Sequence, residues 1–318
     1  MLHKLKSPRK SVLASFALLV IVSSCDKDDD PPPANRTITE VVVATDAFST
    51  LETAVVKAGL QTTLSSTGPF TVFAPDNDAF TSSGITSSVL ASLPKDEVAN
   101  ILLYHTLNGK VMASGVPAGP NEKVITASGD SVFLTRNASG VYINGVAVQQ
   151  ADIAASNGVI HRIGSVLMPA RGNLVATAQA PGSGLDSLVK AVVRASTAPG
   201  GDPMILSSLQ SARLTVFAPD NAAFTQLLGA LGVSDINAIP VATLAAVLKY
   251  HIVAGRVFSS DLSNGPVTML AGGNTTVNLS GGASITGSGN TGNKSNITKA
   301  NIVATNGVVH IIDRVLLP

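Results

Sequence analysis

Four histidines stand beyond residue 24, at His105, His161, His251 and His310, and they fall into two equivalent pairs. An imidazole changes charge near neutral pH, so such pairs could act as general bases or as metal ligands. His105 and His251 each follow a tyrosine, Tyr104 and Tyr250, while His161 and His310 lie inside apolar runs. Asp76-Asn77 and Asp220-Asn221 offer oxygen donors. Each chemistry falls short of what it requires. Zinc takes three or four ligands, and two histidines per pair with no nearby cysteine do not supply them. Calcium takes six to eight oxygens from a preformed loop, which one acidic corner does not provide. A nucleophilic serine would sit on a G-x-S-x-G elbow, and the sequence has none. The expectation is therefore no catalysis, no metal and no cofactor. The histidines should be buried and hydrogen-bonded to backbone or to a corner Asp or Asn. Asp76, Asn77, Asp220 and Asn221 should start helices.

The elements that carry these residues occur twice. Thr71-Val72-Phe73-Ala74-Pro75-Asp76-Asn77-Asp78-Ala79-Phe80 returns as Thr215-Val216-Phe217-Ala218-Pro219-Asp220-Asn221-Ala222-Ala223-Phe224, a duplication that sets the domain count. Thr-Val-Phe reads as a buried strand, and Pro75 ends it because proline cannot donate to a ladder. The Asp or Asn starts a helix, and Phe80 turns back to the core. In the first unit, residues 38–43, 48–58 and 94–105 have helical spacing, and 87–93 is a short helical piece. From Gly109 onward, Val132–Leu134, Val141–Ile143 and Val146–Val148 read as strands, with hairpin turns at Asn144-Gly145 and Asn157-Gly158. The second unit repeats this order, with helices at 185–195 and 242–251, strands at 277–279 and 284–286, and a closing hairpin from Asn306.

The N-terminus reads as an address. Residues 1–10 are basic, residues 11–24 form an apolar run too short to span a bilayer as a helix, and Cys25 follows as the sole cysteine. Val22-Ser23-Ser24-Cys25 resembles a bacterial lipobox, which makes 1–24 a lipoprotein signal peptide and Cys25 the lipidated first residue. Residues 25–37 read as an extended tether, because charges and consecutive prolines bury no apolar area. Lys27-Asp28-Asp29 behind the cysteine resembles the lipoprotein export signal of Bacteroidetes. That implies an outer-membrane anchor with the chain displayed on the cell surface; the alternative is a periplasm-facing lipoprotein. Removing 1–24 removes four basic residues, leaving 17 Lys+Arg against 20 Asp+Glu and no basic patch, so nucleic acid is not an expected partner.

The strand T-V-F-A-P-x-N-x-A-F, the Tyr-His pair after a leucine-rich helix and the closing N-G-V-[IV]-H…V-L-x-P together resemble the fasciclin (FAS1) domain. The resemblance covers residues 38–169 and 172–318, with all three motifs in order in each. It implies an α+β fold in which helices pack beside a wedge of two small β-sheets. It also implies adhesion or matrix work without catalysis. By the same resemblance, Tyr104, His105, Tyr250 and His251 match a segment linked to receptor binding in animal fasciclin domains. Asp130-Ser131-Val132 and Asp186-Ser187-Leu188 resemble a short O-glycosylation pattern. The expected function is a surface-anchored adhesion or interaction protein with a protein or glycan ligand. The alternative is a glycan-binding component of a polysaccharide-uptake system. Composition opposes that alternative, since there is no Trp and only Tyr142 lies outside the repeated Tyr-His pairs.

Overall fold

A computed structural model describes residues 35–318. The leader, Cys25 and the tether up to residue 34 lie outside the described residues. In the first unit, helices α1 (Ile38–Val43), α2 (Ser49–Ala58) and α3 (Gln61–Ser65) precede strand β1 (Phe70–Pro75). Helices α4 (Asn77–Ser82), α5 (Ser87–Ser92) and α6 (Lys95–Tyr104) follow it. Then come β2 (Thr106–Asn108), β3 (Gly119–Ile125), β4 (Ser131–Asn137), β5 (Gly140–Ile143), β6 (Val146–Ala155) and β7 (Gly158–Ile163). The second unit runs α7 (Leu174–Ala178), α8 (Asp186–Thr197), α9 (Pro203–Ser211), β8 (Leu214–Pro219), α10 (Asn221–Leu231) and α11 (Val241–Lys249). It closes with β9 (Ile252–Ala254), β10 (Gly265–Thr268), β11 (Asn274–Asn278), β12 (Ser284–Thr286), β13 (Ser295–Ala304) and β14 (Gly307–Ile312).

The strands of each unit join into one seven-stranded ladder, in the order β2-β1-β7-β6-β5-β4-β3 and its counterpart β9-β8-β14-β13-β12-β11-β10. The two halves expected as separate small sheets meet in one long strand. β6 pairs with β5 through Val146 and Ala147, and with β7 from Val148 onward. Two register shifts bend β6 on the way. There Asp152 takes the left-handed conformation, φ 61°, and Asn301 does the same in β13, φ 64°, a conformation that Asp and Asn tolerate better than most residues. Each ladder has two cores. Val72 and Ile160 face helices α1, α2 and α6, whereas Phe73 and Ile163 face the side covered by Leu134 and Ile143. The alternation follows from the two-residue period of a strand.

Asn144-Gly145 forms the expected hairpin turn, both residues at positive φ. The other Asn-Gly pair behaves differently. The β6–β7 loop is Ser156-Asn157, and Gly158 is already the first residue of β7, opposite Ala155. Glycine is required there by proximity: a Cβ on Gly158 would lie 2.1 Å from the carbonyl oxygen of Phe70, and one on Gly307 would lie 2.0 Å from that of Leu214. Asn157 is a hub. Its Oδ1 accepts from the Ile38 N–H, and its Nδ2 donates to the carbonyls of Leu64 and Ser66. It thereby ties α1 and α3 to the sheet.

The units also touch each other. The Arg256 guanidinium lies 3.9 Å from the centre of the Phe133 ring, and Phe133 packs against Phe258 with ring centres 5.9 Å apart. Nη2 of Arg256 donates to the carbonyls of Ala304 and Thr305. Nδ2 of Asn121 donates to the Arg256 carbonyl and to Oδ2 of Asp261, each at 2.9 Å.

Candidate functional site

The four histidines are placed by the sheet and the helix that leads into it. His105 caps the C-terminus of α6, His251 lies one residue past the cap of α11, Tyr250, and both histidines are 1% exposed. Nδ1 of His105 lies 2.8 Å from the Ile101 carbonyl, and Nε2 accepts the Leu167 N–H at 2.9 Å. His251 repeats both contacts with Val247 and Leu316, at 2.8 Å each. Since Nε2 accepts, Nδ1 carries the proton, and each ring is a neutral bridge between a helix end and the closing segment. Burial is the main cause that pushes both imidazoles down to about 4, with the backbone acceptor working weakly against it.

His161 and His310 use the opposite tautomer. Nε2 of His161 faces the Val111 carbonyl at 2.8 Å, and Nδ1 accepts the Asp152 N–H at 3.2 Å. His310 does the same with Val257 at 3.0 Å and Asn301 at 3.3 Å. The donors are the two left-handed residues of the strand bulges, so the bulge turns a backbone N–H toward the ring. Phe73 and Phe217 lie beside these rings, 5.4 Å between centres in each case. Burial lowers the His310 pKa first, offset in part by the Val257 carbonyl. The expected alternative partner, a corner Asp or Asn side chain, is used by none of the four; backbone groups take every ring nitrogen.

The two corners divide their labour. Oδ1 of Asp76 accepts the Ala79 N–H at 2.7 Å, and Asp220 does the same for Ala223 at 2.7 Å, so the aspartates cap α4 and α10. Asn77 and Asn221 do not cap their own helices. Oδ1 of Asn77 accepts the Thr50 N–H at 2.9 Å, and Asn221 accepts that of Ser187 at 2.9 Å, capping α2 and α8 from across the fold. Asp76 alone also accepts from Nε of Arg162, at 2.7 Å.

Tyr104 and Tyr250 are 1% exposed and sit in the second core of each unit. The Tyr104 hydroxyl donates to the Ser131 carbonyl and accepts from Nδ2 of Asn144, and burial pushes it up to about 12. A partner meeting the folded surface does not reach Tyr104, His105, Tyr250 or His251, which corrects the expectation that they form a contact surface. The physical reason is that a Tyr-His pair at a helix end turns both side chains under the closing segment. Tyr142, on β5 opposite Thr135 and Ala147, is half-buried and reaches solvent. Among the described residues no group of three His, Cys, Asp or Glu converges as a metal site would require, and no helix is long and apolar enough to cross a membrane.

Two α+β units of the same design, each with its histidines bonded to backbone, define a protein of tandem folded modules. Residues 46–169 and 202–318 match the family model of the Fasciclin domain. The chain belongs to the fasciclin domain family and carries two copies of the domain. It is 42% identical over 135 residues to Protein sll1483 of Synechocystis sp. (strain ATCC 27184 / PCC 6803 / Kazusa), a match covering 42% of this chain and 73% of that protein. It is 36% identical over 144 residues to Transforming growth factor-beta-induced protein ig-h3 of Sus scrofa, covering 45% of this chain and 20% of that protein. Periostin of Homo sapiens is 33% identical over 140 residues, 43% of this chain and 16% of periostin. The match thus spans a fifth or less of the length of ig-h3 and periostin. A solved FAS1 domain pair from the insect cell adhesion molecule Fasciclin I aligns over 88% of this chain and 96% of that one, at 18% identity and a TM-score of 0.40.

Proposed function

We propose that this chain is a lipid-anchored, surface-displayed protein that presents two fasciclin modules for adhesion or interaction and catalyses no reaction. The observation that carries this reading is the engagement of the reactive side chains. All eight ring nitrogens of the four histidines have backbone partners, and the paired tyrosines are buried. A general base must be within hydrogen-bond reach of a substrate, which these groups are not. Work is left to the surface, where two modules in one chain raise avidity if both engage partners at once. Cys25 supplies the anchor, with two or more acyl chains holding it stably on the outer membrane.

Protease shaving of intact cells producing the full chain tests the display. Loss of the chain from the cells is expected; full protection would defeat surface exposure and leave the periplasm-facing arrangement. Cys25→Ser should abolish metabolic labelling with a palmitate analogue and move the chain to the soluble fraction. The glycan-binding reading rests on Tyr142, the only tyrosine that reaches solvent. Saturable polysaccharide binding that is lost in Tyr142→Ala would favour it over a protein partner.

A further inference from the structure

The two modules differ at one place inside the helical layer. In the first, α1, α2 and α3 leave a pocket of about 20 Å³. At the same place in the second, α7, α8 and α9 enclose with the sheet a cavity of about 240 Å³. Shared hydrogen bonds fix which positions correspond. The N–H groups of Ile38 and Leu174 bond to Asn157 and Asn306, those of Thr50 and Ser187 to Asn77 and Asn221, and Asn157 and Asn306 donate to the carbonyls of Leu64 and Leu209. On that correspondence, Thr39, Glu52 and Gln61, which line the first pocket, become Val175, Val189 and Leu206 in the second. Deeper in, Val42 becomes Ala178 and Phe48 becomes Leu185, which removes five carbon atoms. One module is therefore plugged, with Thr39, Glu52 and Gln61 among its valines, where the other is hollow and lined there by aliphatic residues.

The lining of the cavity is chemically uniform. No charged side chain faces it, and its one imidazole, His251, has both nitrogens bonded to backbone. Polar groups enter only through Gln179 and Gln210, which are exposed and with Val193 mark the mouth. A cavity of this kind stays dry and accepts apolar guests. Since a dry cavity of about 150 Å³ accepts the six carbons of benzene, 240 Å³ accommodates roughly eight to ten carbons. We propose that the second fasciclin module binds a straight aliphatic chain of that length, with an uncharged polar end held at Gln179 and Gln210. The proposal stands apart from the surface adhesion reading, since it uses an interior that no macromolecular partner enters.

Calorimetric titration of the full chain with 1-octanol tests it. Saturable one-site binding is expected, weakening about fourfold for each methylene removed in 1-heptanol and 1-hexanol. The double substitution Ala178→Val with Leu185→Phe, which restores the first module's plug, should weaken binding at least tenfold. Val189→Glu copies the first module's residue at the half-exposed rim, so it keeps the fold and gives the same loss if the plugged variant misfolds. Absence of saturable 1-octanol binding to the unmodified chain would overturn the proposal. So would unchanged affinity in Val189→Glu together with whichever plugged variant folds.

Discussion

At His105 the imidazole is wedged between the Ile101 carbonyl and the Leu167 N–H, and a proton added to Nε2 would remove an acceptor and strand a charge in a 1%-exposed site. That ring and its counterpart at His251 are held down to about 4, against an ordinary value of 6.5. The folded state thus binds these protons later than the unfolded chain does. Their contribution to stability is full above pH 6.5, is lost as the pH falls from about 6.5 toward 4, and levels off below. Each shift corresponds to roughly 3 kcal/mol at most. Urea unfolding should therefore give a markedly lower stability at pH 4.5 than at pH 7. A flat profile across that window would show that the rings are not held neutral by burial. The apolar flanks of the histidines made their burial legible in the sequence. Their partners were not, because a donor such as Asp152 depends on a strand bulge, and nothing in the residue types around it announces a register shift.

Single elements were legible where a local rule decides them. Pro75 ends β1 and Asp76 caps α4, each from chemistry within a few residues. Asn77 departs from the expected capping of its own helix because it caps α2 from more than 25 residues away, which no local pattern encodes. β3 and most of β6 and β13 are not legible for a related reason: their polar sequences become ordered by pairing with neighbouring strands rather than by their own periodicity. Gly158 joins both cases. Its place beside Asn157 suggested a turn, whereas its function is to let β7 pass against β1 in parallel. Gly158→Ala and Gly307→Ala should each destabilise their module by more than about 2 kcal/mol, since the new methyl meets a backbone carbonyl that cannot yield. Gly229→Ala is the contrasting case. It is exposed on α10 with nothing within 4 Å of the added methyl, and it should stabilise by about 0.5–1 kcal/mol. Chemical denaturation of the three variants checks both signs.

At the scale of the whole molecule, the duplication in the sequence counted the modules but was silent on their contact, because the contact is made by residues the copies do not share. The Val111 and Val257 N–H groups bond to Thr71 and Thr215 alike, which places Lys110 opposite Arg256 and Met112 opposite Phe258. Arg256 and Phe258 of the second module close on Phe133 of the first, and Asn121 reaches across to the segment they begin. A guanidinium desolvated over an aromatic face gains about 1–2 kcal/mol, and the Phe133–Phe258 pair adds a comparable amount. That is enough to couple two domains whose separate stabilities are only several kcal/mol. The chain should then unfold in a single calorimetric transition. Phe133→Ala combined with Arg256→Ala removes the ring and the cation together while leaving both helical cores intact, so the transition should split into two, one for each module. Two transitions in the unmodified chain would mean that the modules are joined only by the covalent link, and the contact would then contribute nothing to how they are presented. One transition in both proteins would move the coupling to the hydrogen bonds that Asn121, Asn137 and Ser259 make across the contact, of which Asn121→Ala removes the two that Asn121 donates.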